Sequence, residues 1–156
     1  MDSIAMDPSL TFSVTTAGTE KERGKIIQSL VEAHPKVQVI PAAKTPAAMA
    51  KLMASQDIVV VPSNGNYWHE TFGMASIEAQ HAGCRVVASH DGGLIETDCG
   101  GVIFVEPNDA KALAEGISTA LKAIPVSTKE RQTACKRFTV SQSVDTLLQL
   151  LESRLL

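Results

Sequence analysis

Two short segments constrain this chain more than anything else in it: DIVVVPS at 57–63 and RVVAS at 85–89. Each carries a run of consecutive apolar, valine-rich residues, where a strand with one solvated face would alternate apolar and polar. Strands that are apolar on both faces belong inside a sheet covered on both sides, which is the parallel, helix-covered kind. Three further segments, TFSV at 11–14, KVQVI at 36–40 and GVIFV at 101–105, also read as strands.

Helical periodicity fills the intervals between them. A helix is predicted over 20–33 with Ile26, Ile27, Leu30 and Val31 on one face, and strand 11–14 runs out near Gly18. Thr45-Pro46 reads as an N-cap followed by proline at the first helical position, opening a helix that turns Met49, Leu52 and Met53 inward and stops near Gln56. GMASIEAQHA at 73–82 is a third helix, stopped by Gly83. Asn108 or Asp109 caps a fourth, with Ala110, Leu113, Ala114, Ile117, Ala120 and Leu121 on an i, i+3, i+4 stripe that ends at Pro125. From Val140 to Leu155 a last helix places Val144, Leu147, Leu148, Leu151 and Leu155 on one stripe. That stripe is expected to face the core, the alternative being a helix docked on a neighbouring domain or subunit. The expectation is an α/β fold of Rossmann-like type, a mostly parallel sheet of about five strands with helices on both faces. Residues 11–156 are expected to form the domain, and 1–10 a leader or an irregular segment.

Composition removes several function classes. The 156 residues suit a single domain, and 44% hydrophobic content is enough to build a core. A formal charge of -3 offers no basic footprint for nucleic acid, and 4% aromatic content argues against a base-stacking platform. Cys84, Cys99 and Cys135 are odd in number and widely spaced, which fits reduced thiols in a cytoplasmic protein. No apolar run approaches the roughly 20 residues of a membrane span, while peripheral membrane association stays compatible with the sequence. HE at 69–70 lacks the second histidine of HExxH, and His34, His69, His81 and His90 have no metal-ligand spacing, so no metal site is expected. GxGxxG, GxxxxGK[ST] and GxSxG are all missing, which excludes nicotinamide, P-loop and nucleophile-elbow readings.

What remains is PSNGNYWHETFGMASIEAQHAGCRVVAS at 62–89, with seven residues between Glu70 and Glu78. In an open parallel sheet, ligands bind beyond the carboxyl ends of the strands where helices begin. The free N–H groups of such a helix start attract anions, and a diphosphate would suit the backbone of Phe72, Gly73, Met74 and Ala75. Gly73 lacks the Cβ that would obstruct close approach. Glu78, about a turn and a half into the helix, can accept hydrogen bonds from two vicinal ribose hydroxyls, while Glu70 could face a sugar. On residue type alone, two solvated acids near a helix start explain the pair at least as readily.

The wider pattern shifts that balance. The PS before the loop, the E-x7-E pair with Phe72-Gly73, the EA-xxxG ending, the strand RVVAS, then Gly92, Gly93 and Glu96, and the run through Gly101, Pro107 and Asp109 occur in order. Together they resemble the C-terminal nucleotide-sugar-binding domain of retaining glycosyltransferases of family 4 (group 1), which have the two-domain GT-B architecture. The strong match covers residues 57–122. The resemblance implies that Glu70 contacts the donor sugar at the reaction centre and that Glu78 binds the ribose. It further implies that the backbone from Thr71 to Ala75 holds sugar and diphosphate, and that the backbone near Ile40 and Pro41 lines the base. The donor would be a nucleotide-diphosphate sugar, the sugar would be transferred with retention, and neither metal nor cofactor is implied. His90, Asp91 and Glu96 read as loop-ordering residues.

The chain also departs from the family's pattern. Its first strand matches the family's second, so a G-R-x-x-x-K-G pattern with a diphosphate-neutralising basic pair is missing, and Lys21 and Lys25 do not fill it. The chain is therefore expected to be a partial donor domain, inactive alone, whose partner is the acceptor domain of a parent chain. The rival readings are a non-catalytic nucleotide-sugar or protein-binding domain and a sugar epimerase or phosphorylase of the same architecture. The E-x7-E pair favours transfer over epimerisation.

Overall fold

The structure, a computed structural model, describes residues 9–16, 22–66 and 69–154, with the side chains of 16, 22, 23, 26, 27 and 30 left aside. Gly18, Lys21, Trp68 and Leu155, the lead-in before Ser9, and the inward faces assigned to Ile26, Ile27 and Leu30 lie outside that description. The chain divides into two compact units, Met1–Leu52 and Met53–Leu156.

The first unit contains a β–α–β motif. Strands β1 (Phe12–Thr16) and β2 (Val37–Pro41) pair in parallel, in register from Phe12↔Val37 to Thr16↔Pro41. Helix α1 (Glu22–Glu32) makes the crossover that a parallel pair requires. At Thr45 the predicted cap forms, its hydroxyl accepting the Ala48 N–H at 3.1 Å. Helix α2 (Pro46–Ala54) starts there, with proline at the position where a missing N–H costs nothing.

In the second unit, β3 (Ile58–Val61), β4 (Arg85–Ser89) and β5 (Val102–Val105) form a parallel sheet in the order β3-β4-β5. All five predicted strands are present and every pairing is parallel, although hydrogen bonding groups them two and three. The central strand is the core. Val86, Val87 and Ala88 are wholly buried, and each such valine stabilises the fold by about 1.5–3 kcal/mol. Arg85 begins that strand, and its charge is answered by Glu130 at 3.0 Å and the Ala123 carbonyl at 2.8 Å.

Helix α3 (Met74–Ala82) connects β3 to β4 and ends as predicted at Gly83. There the N–H groups of Gly83 and Cys84 return to the Gln80 and Ala79 carbonyls, satisfying the last turn. A 3₁₀ segment, Gly92–Thr97, joins β4 to β5. Helix α4 (Ala110–Lys122) is capped by the Asp109 carboxylate, which accepts from Lys111 and Ala112 N–H at 2.8 and 2.9 Å. It buries Ile117 and Ala120 from the predicted stripe. The short helix α5 (Thr128–Ala134) was not among the predicted elements, although Ser127 and Glu130 spell its capping box in the sequence.

Helix α6 (Val140–Glu152) forms where the periodicity put it, capped by Thr139, but its stripe does not face the core. Val144, Leu147, Leu148 and Leu151 are all about half exposed, and no residue of the helix is buried. Periodicity establishes that a helix has an apolar face and says nothing about what covers it.

Candidate functional site

Parallel strands send their carboxyl ends to one edge of the sheet. At that edge β3 leads into the loop 62–73 and β4 leads into residues 90–97. The two loops are zipped together. His69 Nδ1 lies 2.7 Å from Asp91 Oδ1, and Gly93 N–H donates to the Glu70 carbonyl at 2.8 Å. A Cβ on Gly93 would sit 2.1 Å from the Thr71 carbonyl oxygen, closer than any side chain permits, so the backbones of 71 and 93 meet only because position 93 is glycine.

The loop then turns into α3 at Gly73, which has φ 83° and ψ 49°. This left-handed conformation suits glycine, and an added Cβ would also lie 2.5 Å from Leu94 Cδ2. The glycine is thus required by its own backbone and by Leu94, in addition to any ligand. One Glu70 carboxylate oxygen accepts the Gly73 N–H at 3.2 Å. Among the described residues the N–H groups of Met74 and Ala75 have no acceptor, so the helix start presents two free donors.

Burial sorts the predicted residues by face. Ser76, Ile77, Ala79 and Gln80 point into the protein, while Met74, Ala75 and Glu78 are exposed together. Residues three and four apart share a helix face, so the Glu78 side chain lies on the face of Met74 and Ala75, one turn along the helix from them. Thr71 and Phe72 are also exposed, and the Phe72 ring meets Phe138 edge-on at 5.7 Å between centroids. Glu70 is half-buried. Ile40 and Pro41 belong to the other unit, at the carboxyl end of β2. The structure therefore brings Glu70, Thr71, Phe72, Met74, Ala75 and Glu78 together around the start of α3, buries Gly73 there with its N–H taken by Glu70, and leaves Ile40 and Pro41 on a separate unit.

Beneath this surface lies a polar cluster that sequence reasoning passed over. Gln80 Nε2 donates to the Thr97 carbonyl at 2.9 Å and to the Ser76 carbonyl at 3.1 Å, and Gln80 Oε1 accepts the Cys99 N–H at 2.8 Å. The Thr97 hydroxyl lies 2.8 Å from the Ser76 hydroxyl and 2.7 Å from the Leu94 carbonyl. These bonds tie α3 to the 3₁₀ segment and so hold the zipped loops in place. A glutamine, serine and threonine at these spacings carry no recognisable signal in one sequence. His90 and Glu96 are exposed, His90 lying edge-on to Phe104 at 5.8 Å.

Nearby thiols are structural. Burial, and then the Asp57 carboxylate, push the Cys84 thiol up to about 11, and burial also raises Cys99. Among the described residues no three of His, Cys, Asp or Glu converge as metal ligands, and no helix is long and apolar enough to cross a membrane.

A loop-to-helix start with free donors, followed one turn later by a carboxylate at the strand ends of a parallel sheet, is the arrangement the sequence pattern anticipated. Residues 6–137 match the family described as Glycosyl transferases group 1. The chain belongs to that family. One relative, the D-inositol 3-phosphate glycosyltransferase of Segniliparus rotundus, is 46% identical over 52 residues, which are 33% of this chain and 11% of that protein. Among solved structures, HepE of Anabaena in complex with UDP superposes with a TM-score of 0.74 at 22% identity, over 97% of this chain and 43% of that one. The C-terminal domain of a group 1 glycosyl transferase family protein (LpcC) from Francisella tularensis gives 0.70 at 17% identity, over 89% of this chain and 75% of that one. These likenesses establish the Rossmann-like fold of GT-B glycosyltransferases, and the chain spans less than half of HepE.

Proposed function

We propose that this chain is the donor-binding part of a retaining glycosyltransferase that moves a hexosyl group from a nucleotide-diphosphate sugar. The observation that carries the reading is the shared exposed face of Met74, Ala75 and Glu78 at the start of α3 in a group 1 chain. The free N–H groups of Met74 and Ala75 receive the diphosphate, with the helix dipole favouring its charge. Glu78 accepts from the ribose hydroxyls, and the sugar lies over Thr71 and Glu70. HepE, a structural neighbour, has also been crystallised in complex with UDP-glucose.

In this reading the chemistry needs no metal, because preorganised donors stabilise the departing diphosphate. Glu70 is an electrostatic and positioning group: one oxygen braces the loop through Gly73, and the other faces the sugar. The acceptor is held by another domain of a parent chain, and residues 1–156 alone do not transfer sugar, since orienting both reactants supplies roughly 7–11 kcal/mol of the barrier. Three free cysteines fit the reducing cytoplasm.

Thermal-shift screening against UDP-, GDP- and ADP-sugars, followed by calorimetry, tests the reading. Glu78→Ala should weaken donor binding by roughly 10- to 150-fold, the equivalent of losing charge-assisted hydrogen bonds, without lowering stability. Unchanged affinity refutes it. In the full-length enzyme, Glu70→Gln should lower turnover far more than donor affinity.

A further inference from the structure

The zipped loops contain one interaction that zipping does not require. Asp91 is 9% exposed, and its Oδ2 is buried with no hydrogen-bond partner. Its Oδ1 meets His69 Nδ1 at 2.7 Å, yet the His69 side chain is 73% exposed. A carboxylate only accepts, so Nδ1 carries the proton in this contact and the ring orientation is set. A Cβ on Gly65 would lie 2.6 Å from both His69 Nδ1 and Cε1, so that edge of the ring faces Gly65 and Asp91. Nε2, on the far side of Cε1 from Nδ1, has no hydrogen-bond partner among the described residues, and the side chain as a whole is largely exposed.

As a loop clasp this pair is poorly made. Glu70 and Gly93 already join the two loops through backbone, and an ion pair with one exposed partner contributes little. A buried carboxylate with one oxygen unpartnered costs stability, so the contact is not explained as a stabilising clasp. His69 immediately precedes Glu70 on the surface assigned to the donor.

We propose that His69 is a sugar-positioning residue: Asp91 fixes its ring, and Nε2 makes a hydrogen bond with a hydroxyl of the transferred sugar. A hydroxyl both donates and accepts, so it complements Nε2 whether or not that nitrogen carries a proton. The inference rests on the donor-binding reading and adds a group that distinguishes a nucleotide sugar from its bare nucleoside diphosphate.

Calorimetry on residues 1–156 with two matched pairs, UDP with UDP-glucose and GDP with GDP-mannose, tests it. His69→Ala should leave the bare diphosphate within about twofold and weaken the sugar form by roughly three- to tenfold, the loss of one neutral hydrogen bond. His69→Gln, which carries polar atoms near the Nε2 position, should recover part of the loss. In nitrogen NMR of the imidazole, Nδ1 should be protonated, and Nε2 should shift with the sugar form but not with the diphosphate alone. Equal weakening of both forms, or an Nε2 that ignores the sugar, reduces His69 to a loop clasp and overturns the proposal while the donor-binding reading stands. If the unmutated chain binds no nucleoside diphosphate and no nucleotide sugar, the donor-binding reading fails and takes this inference with it.

Discussion

Replacing Gln80 by leucine removes the group on which the platform beneath the site converges. Gln80 is 4% exposed, and its amide satisfies the Thr97 carbonyl at 2.9 Å, at the end of the second zipped loop, and the Cys99 N–H at 2.8 Å, just beyond it. Leucine leaves the Cys99 N–H without an acceptor, and the Thr97 carbonyl with only the Cys99 thiol, a weak donor at 3.6 Å. Each buried group orphaned in this way costs about 1–3 kcal/mol, and the gain from burying leucine offsets only part, so the net loss should be about 2–4 kcal/mol. Against a total of about 5–15 kcal/mol that is a large fraction. Urea unfolding followed by circular dichroism, extrapolated linearly, reads the loss directly. Because Thr97 and Gln80 share Ser76, Thr97→Val combined with Gln80→Leu should be non-additive by more than about 0.5 kcal/mol. A loss below about 1 kcal/mol with an unchanged slope, or full additivity, would refute the account of a connected cluster.

Other expectations follow from single contacts. Gly93→Ala forces a Cβ against the Thr71 carbonyl and should destabilise by about 1–3 kcal/mol while weakening donor binding; normal stability would show that the loops part freely. The Ser127 hydroxyl and backbone N–H, and then Arg85, hold the Glu130 carboxyl at about 2, below its usual 4.5. A depressed folded value stabilises above the unfolded value and is lost as pH falls from about 4.5 towards 2, so Glu130→Gln should flatten the acid unfolding limb over that window; an unchanged pH slope would remove the carboxylate from the ledger. In the native protein an aromatic disulfide reagent should label the exposed Cys135 first and reach the buried Cys84 and Cys99 only on unfolding; rapid labelling of all three would contradict their burial. Leu147→Gln and Leu151→Gln on the exposed stripe of α6 should each change stability by less than about 0.5 kcal/mol, and a loss above about 2 kcal/mol would show that the stripe is covered in solution.

Local chemistry was legible in the sequence wherever the physics is local. The uninterrupted apolar runs announced parallel strands, and RVVAS is buried along its whole length, whereas the strand of DIVVVPS is only half-buried. Thr45, Gly83 and Asp109 announced helix ends, because capping groups act within a few residues of themselves. The placement of Glu78 on one face with Met74 and Ala75 also follows from 3.6 residues per turn.

Partners distant in sequence were decided only by the tertiary structure. Nothing in the sequence pairs His69 with Asp91, 22 positions away, or joins Gln80 to Thr97 and Cys99. Gly73 was legible as a glycine at a helix start and Gly93 as part of the family pattern, but the Leu94 methyl and the Thr71 carbonyl that forbid a side chain there are contacts between loops. The apolar stripe of α6 has a period readable from the chain and a solvent-facing direction that is not. A helical period is a property of one segment, whereas burial and pairing depend on what the rest of the chain brings against it.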